Sequence, residues 1–526
     1  MEVKGRFEPY LDIVLKQMPR LLGQLDRNPM SRTYGCFDRQ YWHYKTTDFP
    51  CARYQEAVLT LAMLYKIKHK KNPFFSNPKI KEWINAALDF WCRIPGHDGT
   101  LSEWYPNEHS FVATAFGAYA TAETLLIMGR DVRDSGKVIR KLSVMGNWLA
   151  KREEKLAQNQ ECGAAAALYN IFLLTENDKY KQYALNKAKR LAETQSDEGW
   201  FNEYGGADIG YLSVALYYLA ELHEKSRFVP LKKTMEKATD FLSYFVHPDM
   251  TFGGVYGSRN TEYMIPYPFE LAGSGAATMI ASHVRSSIMK RSSISPASLD
   301  DRYLSYIGYK YLKAYIVSRK LGAAAKPPYA KSFTKDFTGA GILVYSNPRT
   351  YLICNYRKGG AFFAFAGGKA YIDSGVAVKS GKKMISGSMS GCSHTFDGSK
   401  LVIEGRLTVL KDRPMKPSGT IALRAFQLTF GRNGAISSIT KRVLRKKTIT
   451  GVQKSSESFR REVMLGKKLR ITDEVHGNSG AEMVTGAKSS YVYIPSSRYF
   501  QYNELDTDSV TCKSEKGFLE LCRVLG

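Results

Sequence analysis

Residues 103–110 read Glu-Trp-Tyr-Pro-Asn-Glu-His-Ser, a group of side chains suited to acid–base chemistry, just before an apolar stretch that begins at Phe111. Asn107 is a candidate cap for a helix starting at Phe111, and His109 would then lie in its first turn, at the positive end of the helix dipole. That position favours a neutral imidazole with an anion bound nearby. The alternative interpretation is that Asn107 only caps the helix and His109 only fills a gap in the packing.

Residues 196–211 form a second candidate cluster, which holds four acids, four aromatic residues and four glycines. Flat rings stack on the faces of sugars and carboxylates hold sugar hydroxyls, so this mixture is typical of a carbohydrate site. A tyrosine here could also act as an acid or a base where nearby cations lower its pKa. The alternative is a Gly-rich turn in which Asp208 caps the next helix and the aromatic rings belong to the core.

Two further stretches each carry one group of interest. Residues 251–263 include Arg259, whose guanidinium suits a bidentate grip on a carboxylate or a sulfate, although it could equally brace the loop through backbone carbonyls. Residues 393–398, Ser-His-Thr-Phe-Asp-Gly, place His394 beside a predicted turn. A lone histidine there is usually structural, and only contact with the earlier loops would give it a catalytic role.

The elements that must position these clusters are mostly helices. Up to about residue 325, apolar residues recur at three- and four-residue spacing, which predicts an almost all-α half. Four long connections, rich in Gly, Pro, Asn and aromatic residues, interrupt the helices at residues 26–50, 94–110, 195–207 and 247–269. Their spacing predicts a stack of antiparallel helix pairs, either an open solenoid or a closed toroid, with the long loops on one face.

After residues 326–328 the pattern changes to short apolar or alternating runs separated by Gly, Ser, Asn and Lys. These runs predict an antiparallel β-domain, most simply a sandwich. They lie at residues 341–345, 349–355, 361–366, 401–409, 421–429 and 463–472. We therefore expect residues 1–325 to form an α/α toroid domain and residues 326–526 to form an antiparallel β-sandwich.

Composition restricts the class of protein and of partner. The chain has 526 residues, 44 % of them hydrophobic, and a formal charge of +27, which excludes extensive disorder and favours an anionic partner. Neither a secretory signal nor an apolar stretch of transmembrane length is recognisable, and the eight cysteines are scattered. A cytoplasmic protein is expected, although a secreted mature form without its leader would have the same features.

With these residues in view, the chain resembles the heparinase II/III-like polysaccharide lyases. The likeness in layout covers nearly the full length, an incomplete α/α toroid followed by an antiparallel β-sandwich. Asn107-Glu108-His109 is similar to the family's Asn/His element at a helix start, and residues 394–398 are similar to its sandwich histidine and turn. Residues 197–211 are similar to the family's acidic loop leading to a catalytic tyrosine, for which Tyr211 is the best-placed match.

Two departures from the family pattern leave alternatives open. Glu108 separates the asparagine from the histidine, and Glu198 interrupts the usual Asp-Gly pair. They leave Tyr204 as an alternative to Tyr211 and do not define the substrate class.

The resemblance implies cleavage of a uronic-acid polymer by β-elimination. Asn107 and His109, assisted by Arg259, would neutralise the C5 carboxylate, His109 or His394 would remove the C5 proton, and Tyr211 would protonate the leaving oxygen. In a syn elimination, one tyrosine could do both jobs. The substrate-binding candidates are Trp104, Glu203, Tyr204, Asp208, Arg259, Asn260 and Tyr263. The chemistry requires no metal or cofactor, and the nine histidines include no HxxxH or HxH pair.

Two other functions compete with this interpretation. A glycoside hydrolase on a similar toroid would need catalytic carboxylates, and Glu203 and Asp208 could serve. A non-catalytic binder of acidic glycans or nucleic acid would use the segment 400–470, which holds 18 Lys/Arg against 4 Asp/Glu. That segment has few aromatic residues, so we expect an anionic polysaccharide as partner, with neither nucleic acid nor a membrane.

Overall fold

The computed structural model describes most of the chain. The described residues are 5–273, 275–322, 324–380, 383–389, 391–410, 416–445, 453–477, 482–485, 499–501, 504–505, 510–513 and 518–526.

The first half of the chain is helical, as its periodicity predicts. The helices are α1 (Pro9–Gln24), α2 (Arg39–Trp42), α3 (Ala57–Lys66), α4 (Pro78–Trp91), α5 (Phe111–Met128), α6 (Ser135–Ala150), α7 (Gln158–Thr175), α8 (Asp178–Thr194), α9 (Ile209–Ser226), α10 (Pro230–Ser243), α11 (Tyr267–Ala272), α12 (Gly275–Lys290) and α13 (Asp301–Val317).

The helices form a ring of antiparallel pairs. The inner helices α3, α5, α7, α9 and α11 contact one another in that order, α13 packs between α11 and α3, and each inner helix has an outer partner. Because α11 has only 6 residues, one pair of the toroid is reduced to less than two turns. The long loops meet at one end of the ring, as the spacing of the connections predicts.

The inner helices are buried on nearly every side, which explains their Ala-rich composition. A Cβ added to Gly163 on α7 would lie 2.2 Å from Phe116 Cε1 on α5, so these helices pack at a distance that only glycine allows. The segment Phe111–Asp131 is long and apolar enough to span a membrane by length and composition, yet it is 78 % buried inside the toroid.

The second half contains two antiparallel sheets. Its strands are β1 (Phe333–Phe337), β2 (Ile342–Asn347), β3 (Thr350–Asn355), β4 (Ala361–Ala366), β5 (Lys369–Asp373), β6 (Ala377–Ser380), β7 (Lys383–Ser386), β8 (Ser393–Phe396), β9 (Lys400–Val409), β10 (Lys454–Met464), β11 (Leu469–His476), β12 (Glu482–Thr485), β13 (Val510–Lys513) and β14 (Phe518–Leu525). The first sheet has the order β1-β2-β3-β4-β5, and the second has β13-β12-β6-β7-β9-β10-β11-β14 with β8 paired to β9.

The five-stranded sheet is the middle layer of the molecule. Tyr351 and Ile353 on β3 join the toroid core, whereas Leu352 and Cys354, on the opposite face of the same strand, join the core between the two sheets. This arrangement explains why all six residues of β3 are buried. The fold is therefore an α/α toroid followed by an antiparallel β-sandwich, as predicted, and the predicted boundary at residue 325 lies between α13 and β1.

Two predicted strands differ from the structure. The run at residues 463–472 crosses the turn between β10 and β11, and the run at residues 421–429 is not a strand. Residues 421–429 lie mostly in helix α14 (Pro417–Leu428), which is followed by α15 (Gly434–Arg445). Pro417 occupies the first helical turn, where its missing N–H costs nothing, and the run of Ala, Leu and Arg that follows favours a helix. Ile421 is 70 % exposed, so this apolar run does not mark a core element.

Candidate functional site

The loop between α4 and α5 holds His109 outside the helix. Ser110 is the N-cap of α5, because its side chain accepts a hydrogen bond from Ala113 N, so the prediction that Asn107 caps this helix is wrong. Asn107 and His109 instead have left-handed backbones, with φ of 54° and 50°. Two such residues are costly, and conformations of this kind often occur at functional sites.

Asp98 orients the ring of His109. The His109 Nδ1 atom lies 2.8 Å from Asp98 Oδ2 and 2.9 Å from Thr100 Oγ1. Burial alone would raise the pKa of Asp98, but hydrogen bonds from His109 and Thr100 lower it, so its carboxylate stays ionised and accepts a hydrogen bond from the Nδ1–H group. The Nε2 atom of His109 is buried and has no hydrogen-bond partner in the described part of the chain. The pair is thus arranged as an imidazole whose Nε2 can take up a proton.

Glu108, which departs from the family pattern, folds the loop. Its Oε2 accepts hydrogen bonds from the backbone N–H groups of Glu103 and Trp104, at 2.7 and 2.8 Å. Trp104 is 51 % exposed, and the Arg302 guanidinium lies 3.7 Å from the centre of its ring while also pairing with Glu103. An exposed indole backed by a cation is a platform on which a sugar ring can stack.

A pocket of about 470 Å³ opens beside His109. Its lining combines two histidines, an asparagine and an arginine with apolar and small residues: Phe49, Pro50, Ala52, Ile94, Gly96, His97, Thr100, Ser102, Pro106, Asn107, His109 and Arg432. No acidic side chain is among these lining residues, so the pocket suits an anionic or neutral polar ligand rather than a cation.

The second predicted cluster surrounds Arg259, which is 3 % exposed. Its guanidinium carbon lies 4.1 Å from the centre of the Tyr204 ring, and Tyr211 is near enough to affect the pKa of Arg259. Burial lowers the pKa of Arg259, and the two tyrosines and the acids Asp208 and Glu203 oppose that effect. The Tyr204 ring thus packs against the guanidinium, and the choice between Tyr211 and Tyr204 as the catalytic tyrosine stays a prediction.

Asp208 and Glu203 are both buried, at 1 % exposure. Asp208 caps α9 and also accepts hydrogen bonds from Arg259 N and from the Thr261 hydroxyl. It therefore has the structural role that the alternative interpretation gives it. Glu203 accepts from Asn159 N and Nδ2, and burial raises its pKa to about 8, while its Oε2 has no partner in the described residues. Both carboxylates accept hydrogen bonds from backbone N–H groups of the segments that they brace.

Asn260 and Tyr263 belong to the same loop wall. Asn260 has a left-handed backbone with φ of 54°, and its Oδ1 accepts from Lys358 of the β-domain. The Lys358 ammonium also donates to the carbonyls of Val255 and Gly257, which fixes the loop that carries Arg259. Tyr263 is 6 % exposed, and its ring lies beside Gly210 at the start of α9, where an added Cβ would be 3.1 Å from Cε2.

The ring contact of His394 is with a residue outside both clusters. His394 is exposed on β8, and its ring stacks on Tyr356 with the centroids 3.8 Å apart. In the described part of the chain, no hydrogen bond joins its ring to a toroid loop. Its catalytic role therefore stays a prediction that the geometry does not favour over His109.

Aromatic residues of the toroid and of the β-domain lie on either side of Arg302 and Tyr303. Trp104 packs on Arg302, and the next residue, Tyr303, has its ring 5.7 Å from Tyr499 of the β-domain. Burial raises the pKa of Tyr263, and the nearby Tyr211, Tyr303 and Tyr499 raise it further. Rings of the toroid and of the β-domain therefore pack against each other next to Arg302.

Sequence reasoning missed Asp98 and Arg302. Asp98-Gly99-Thr100 reads as an ordinary turn, and only the folded loop brings Asp98 onto His109, eleven positions later. Arg302 lies in the first turn of α13, far along the chain from Trp104. Among the residues that the structure describes, no group of three His, Cys, Asp or Glu side chains is arranged to hold a metal ion.

No protein-family model matches the sequence, and no curated protein is significantly similar to it. Solved structures do match. The chondroitin AC lyase of Streptomyces coelicolor A3, solved with chondroitin sulphate, is 10 % identical with a TM-score of 0.55, and the match covers 98 % of this chain and 82 % of that one. A Paenibacillus xanthan lyase is 10 % identical with a TM-score of 0.50, covering 91 % of this chain and 46 % of that one. The chain thus has the toroid-and-sandwich fold of polysaccharide lyases, as the resemblance implies.

Proposed function

We propose that the chain is a polysaccharide lyase that cleaves a uronic-acid-containing, anionic polysaccharide by β-elimination. The observation that carries the proposal is the Asp98–His109 pair, in which the buried Nε2 has no partner among the described residues and His109 lines a pocket with no acidic side chain in its lining. Both proteins compared above are lyases, and one was solved with chondroitin sulphate. The net charge of +27 fits an acidic polymer better than a neutral one.

Each step of the elimination has a candidate group. The Asn107 carboxamide and the Arg259 guanidinium would hold the C5 carboxylate, so that the C5 proton becomes acidic. His109 Nε2 would take that proton, the C4–O4 bond would break with formation of the C4–C5 double bond, and the Tyr211 hydroxyl would protonate the leaving O4. Asn107 Nδ2 donates to the carbonyl of Gln427 at 3.0 Å, and a substrate carboxylate would replace this acceptor.

Hydrolysis is the weaker candidate on this scaffold. A hydrolase needs one or two carboxyl groups at the scissile bond, and Glu203 and Asp208, the two acids that the sequence offers, are buried and hydrogen-bonded to the chain. Their positions support roles in folding the loops that carry Tyr204, Tyr211 and Arg259.

A panel of uronate polymers, followed by ultraviolet absorbance of the C4–C5 double bond, tests the proposal. We expect the wild-type protein to release unsaturated ends from at least one polymer. His109→Ala and Tyr211→Phe should each lower kcat about a hundredfold or more, because each removes a proton-transfer group. Tyr204→Phe is the matched control, since it keeps the ring that packs on Arg259, and it should retain most of the activity.

The variants also distinguish the two forms of elimination. If Tyr211 does both jobs in a syn elimination, His109→Ala keeps a measurable fraction of kcat while Tyr211→Phe does not. Near-normal rates in both variants, with folding unchanged by circular dichroism, would refute the site. Cleavage of a neutral glycan with no unsaturated ends would refute the proposed reaction.

A further inference from the structure

A helical excursion interrupts two neighbouring strands of the second sheet. β9 and β10 pair antiparallel, with Thr408 opposite Lys454, so a short turn would suffice to join them. The chain instead forms α14 and α15, linked by a 3-10 turn at Phe430–Arg432, before it returns to the sheet. Excursions of this length on a rigid scaffold usually carry a function.

The excursion ends against the His109 loop of the toroid. The carbonyl of Gln427, at the end of α14, accepts from Asn107 Nδ2 at 3.0 Å. Arg424 pairs with Asp48 at 3.3 Å. A Cβ built on Gly434, the first residue of α15, would lie 3.6 Å from the His109 ring. The link between the two helices is therefore adjacent to the candidate base.

Arg432 lies in this link and lines the pocket beside His109. Its side chain is exposed, and within the described residues it has neither an ion pair nor a hydrogen bond. The nearby Asp98 carboxylate is bonded to His109 and Thr100, so it is not a partner for Arg432. A guanidinium with no partner among the described residues, in a pocket without acidic lining, is arranged to bind an oxyanion in bidentate fashion.

We infer that Arg432 is a specificity-determining residue, which binds a second acidic group of the substrate, a sulfate ester or a carboxylate, on the sugar next to the one that reacts. This inference rests on the proposed function and deepens it. In the proposed mechanism, Asn107 and Arg259 bind the C5 carboxylate of the reacting uronate. The group that Arg432 binds is therefore a different one. The β-domain thereby contributes to substrate choice through an excursion that the sheet itself does not need.

The test compares Arg432→Gln with wild type on a sulfated uronate polymer and on the chemically desulfated form of the same polymer. Lys416→Gln is the matched control, because it removes one exposed positive charge at the start of the same excursion, away from the pocket lining. We expect Arg432→Gln to raise KM about tenfold, the usual effect of losing one charge-assisted contact, with kcat within about twofold of wild type. Lys416→Gln should change neither constant by more than about twofold.

The two polymers identify the group that is bound. A rise in KM on the sulfated polymer alone assigns a sulfate ester, and an equal rise on both polymers assigns a carboxylate. A KM within twofold of wild type on both polymers would overturn the inference while leaving the lyase proposal intact.

Calorimetric binding of a sulfated and a desulfated uronate tetrasaccharide separates this inference from the proposed function. If the wild-type protein cuts no polymer but binds a tetrasaccharide, and Arg432→Gln binds it about tenfold more weakly, the reaction fails and the role of Arg432 stands. If wild type binds neither tetrasaccharide, or if Arg432→Gln binds them as tightly as wild type does, the role of Arg432 is refuted.

Discussion

Asp98 determines which nitrogen of His109 carries the proton. An ionised carboxylate only accepts hydrogen bonds, so its 2.8 Å contact requires the proton on Nδ1 and leaves the lone pair on Nε2. Thr100 donates to the same carboxylate at 2.7 Å, which fixes its orientation. A base that is held in one tautomer needs no rearrangement before proton transfer, and this is the contribution we assign to Asp98.

Asp98→Asn should therefore lower kcat about a hundredfold or more, because an amide can donate to Nδ1 and favour the wrong tautomer. The measurement is kcat on the polymer that wild type cuts best, with His109→Ala and the double variant alongside. Since Asp98 acts through His109, the double variant should be no slower than His109→Ala. Independent, multiplicative losses would contradict a positioning role for Asp98.

Glu203 gives the folded protein a specific pH dependence. Burial raises its pKa from 4.5 to about 8, so between these values the folded state binds a proton that the unfolded state has lost. Stability must then fall as pH rises through this window, by up to about 1.4 kcal/mol per pH unit from this group.

Glu203→Gln resembles the protonated acid and should remove this dependence. The free energy of unfolding in urea should be measured from pH 5 to pH 8. As pH rises, the value for the variant should increase relative to that of wild type. Activity at pH 7 should change little, because the carboxyl group contacts Asn159 rather than the pocket. A constant difference between the two proteins across this range would show that Glu203 is ionised when folded.

At the scale of elements, the loop that carries Arg259 is held between toroid and sheet. Lys358 reaches into it from the β-domain, and Asp208 braces it from α9. Gly254, with φ of +116°, lies close to the sheet, because a Cβ there would be 2.6 Å from the Phe363 ring on β4. The position of Arg259 therefore depends on the contact between the two domains.

Gly254→Ala should destabilise the protein through both backbone strain and this clash. Gly205→Ala is the matched control, since Gly205 has φ of +98° but nothing within 4 Å of its Cβ position. We expect Gly205→Ala to cost about 1 kcal/mol for the backbone alone and Gly254→Ala about 1–3 kcal/mol more, with a higher KM. Urea unfolding of both variants measures the difference. Equal losses of unfolding free energy would mean that the sheet shifts to accommodate the added methyl group.

The periodicity of the sequence predicts the elements better than it predicts the site. Helical spacing identifies the toroid helices because each must bury one face or, like α7, nearly all of its surface. It fails for residues 421–429, where a short apolar run without a partner sheet is compatible with either structure. It also cannot pair Asp98 with His109 or Trp104 with Arg302, because those contacts depend on loop conformation and ring closure rather than on spacing.

At the scale of the whole molecule, three layers bring separate parts of the chain to one edge. The five-stranded sheet packs on the toroid with one face and on the second sheet with the other. This stacking brings Lys358, Tyr499 and Arg432 of the β-domain to loops of the toroid. The dense positive charge of residues 400–470 thus includes one cation at the candidate site, Arg432, and the net charge fits an acidic polymer along this edge.

The most direct test of the central claim is cleavage of the preferred polymer in water enriched in heavy oxygen, with the products analysed by mass spectrometry. Elimination breaks the C4–O4 bond without adding water, so we predict unsaturated products that carry no label and whose masses sum to that of the substrate. Hydrolysis adds one water at each cut. Labelled, saturated products from the wild-type protein, retained in Tyr211→Phe, would contradict the account.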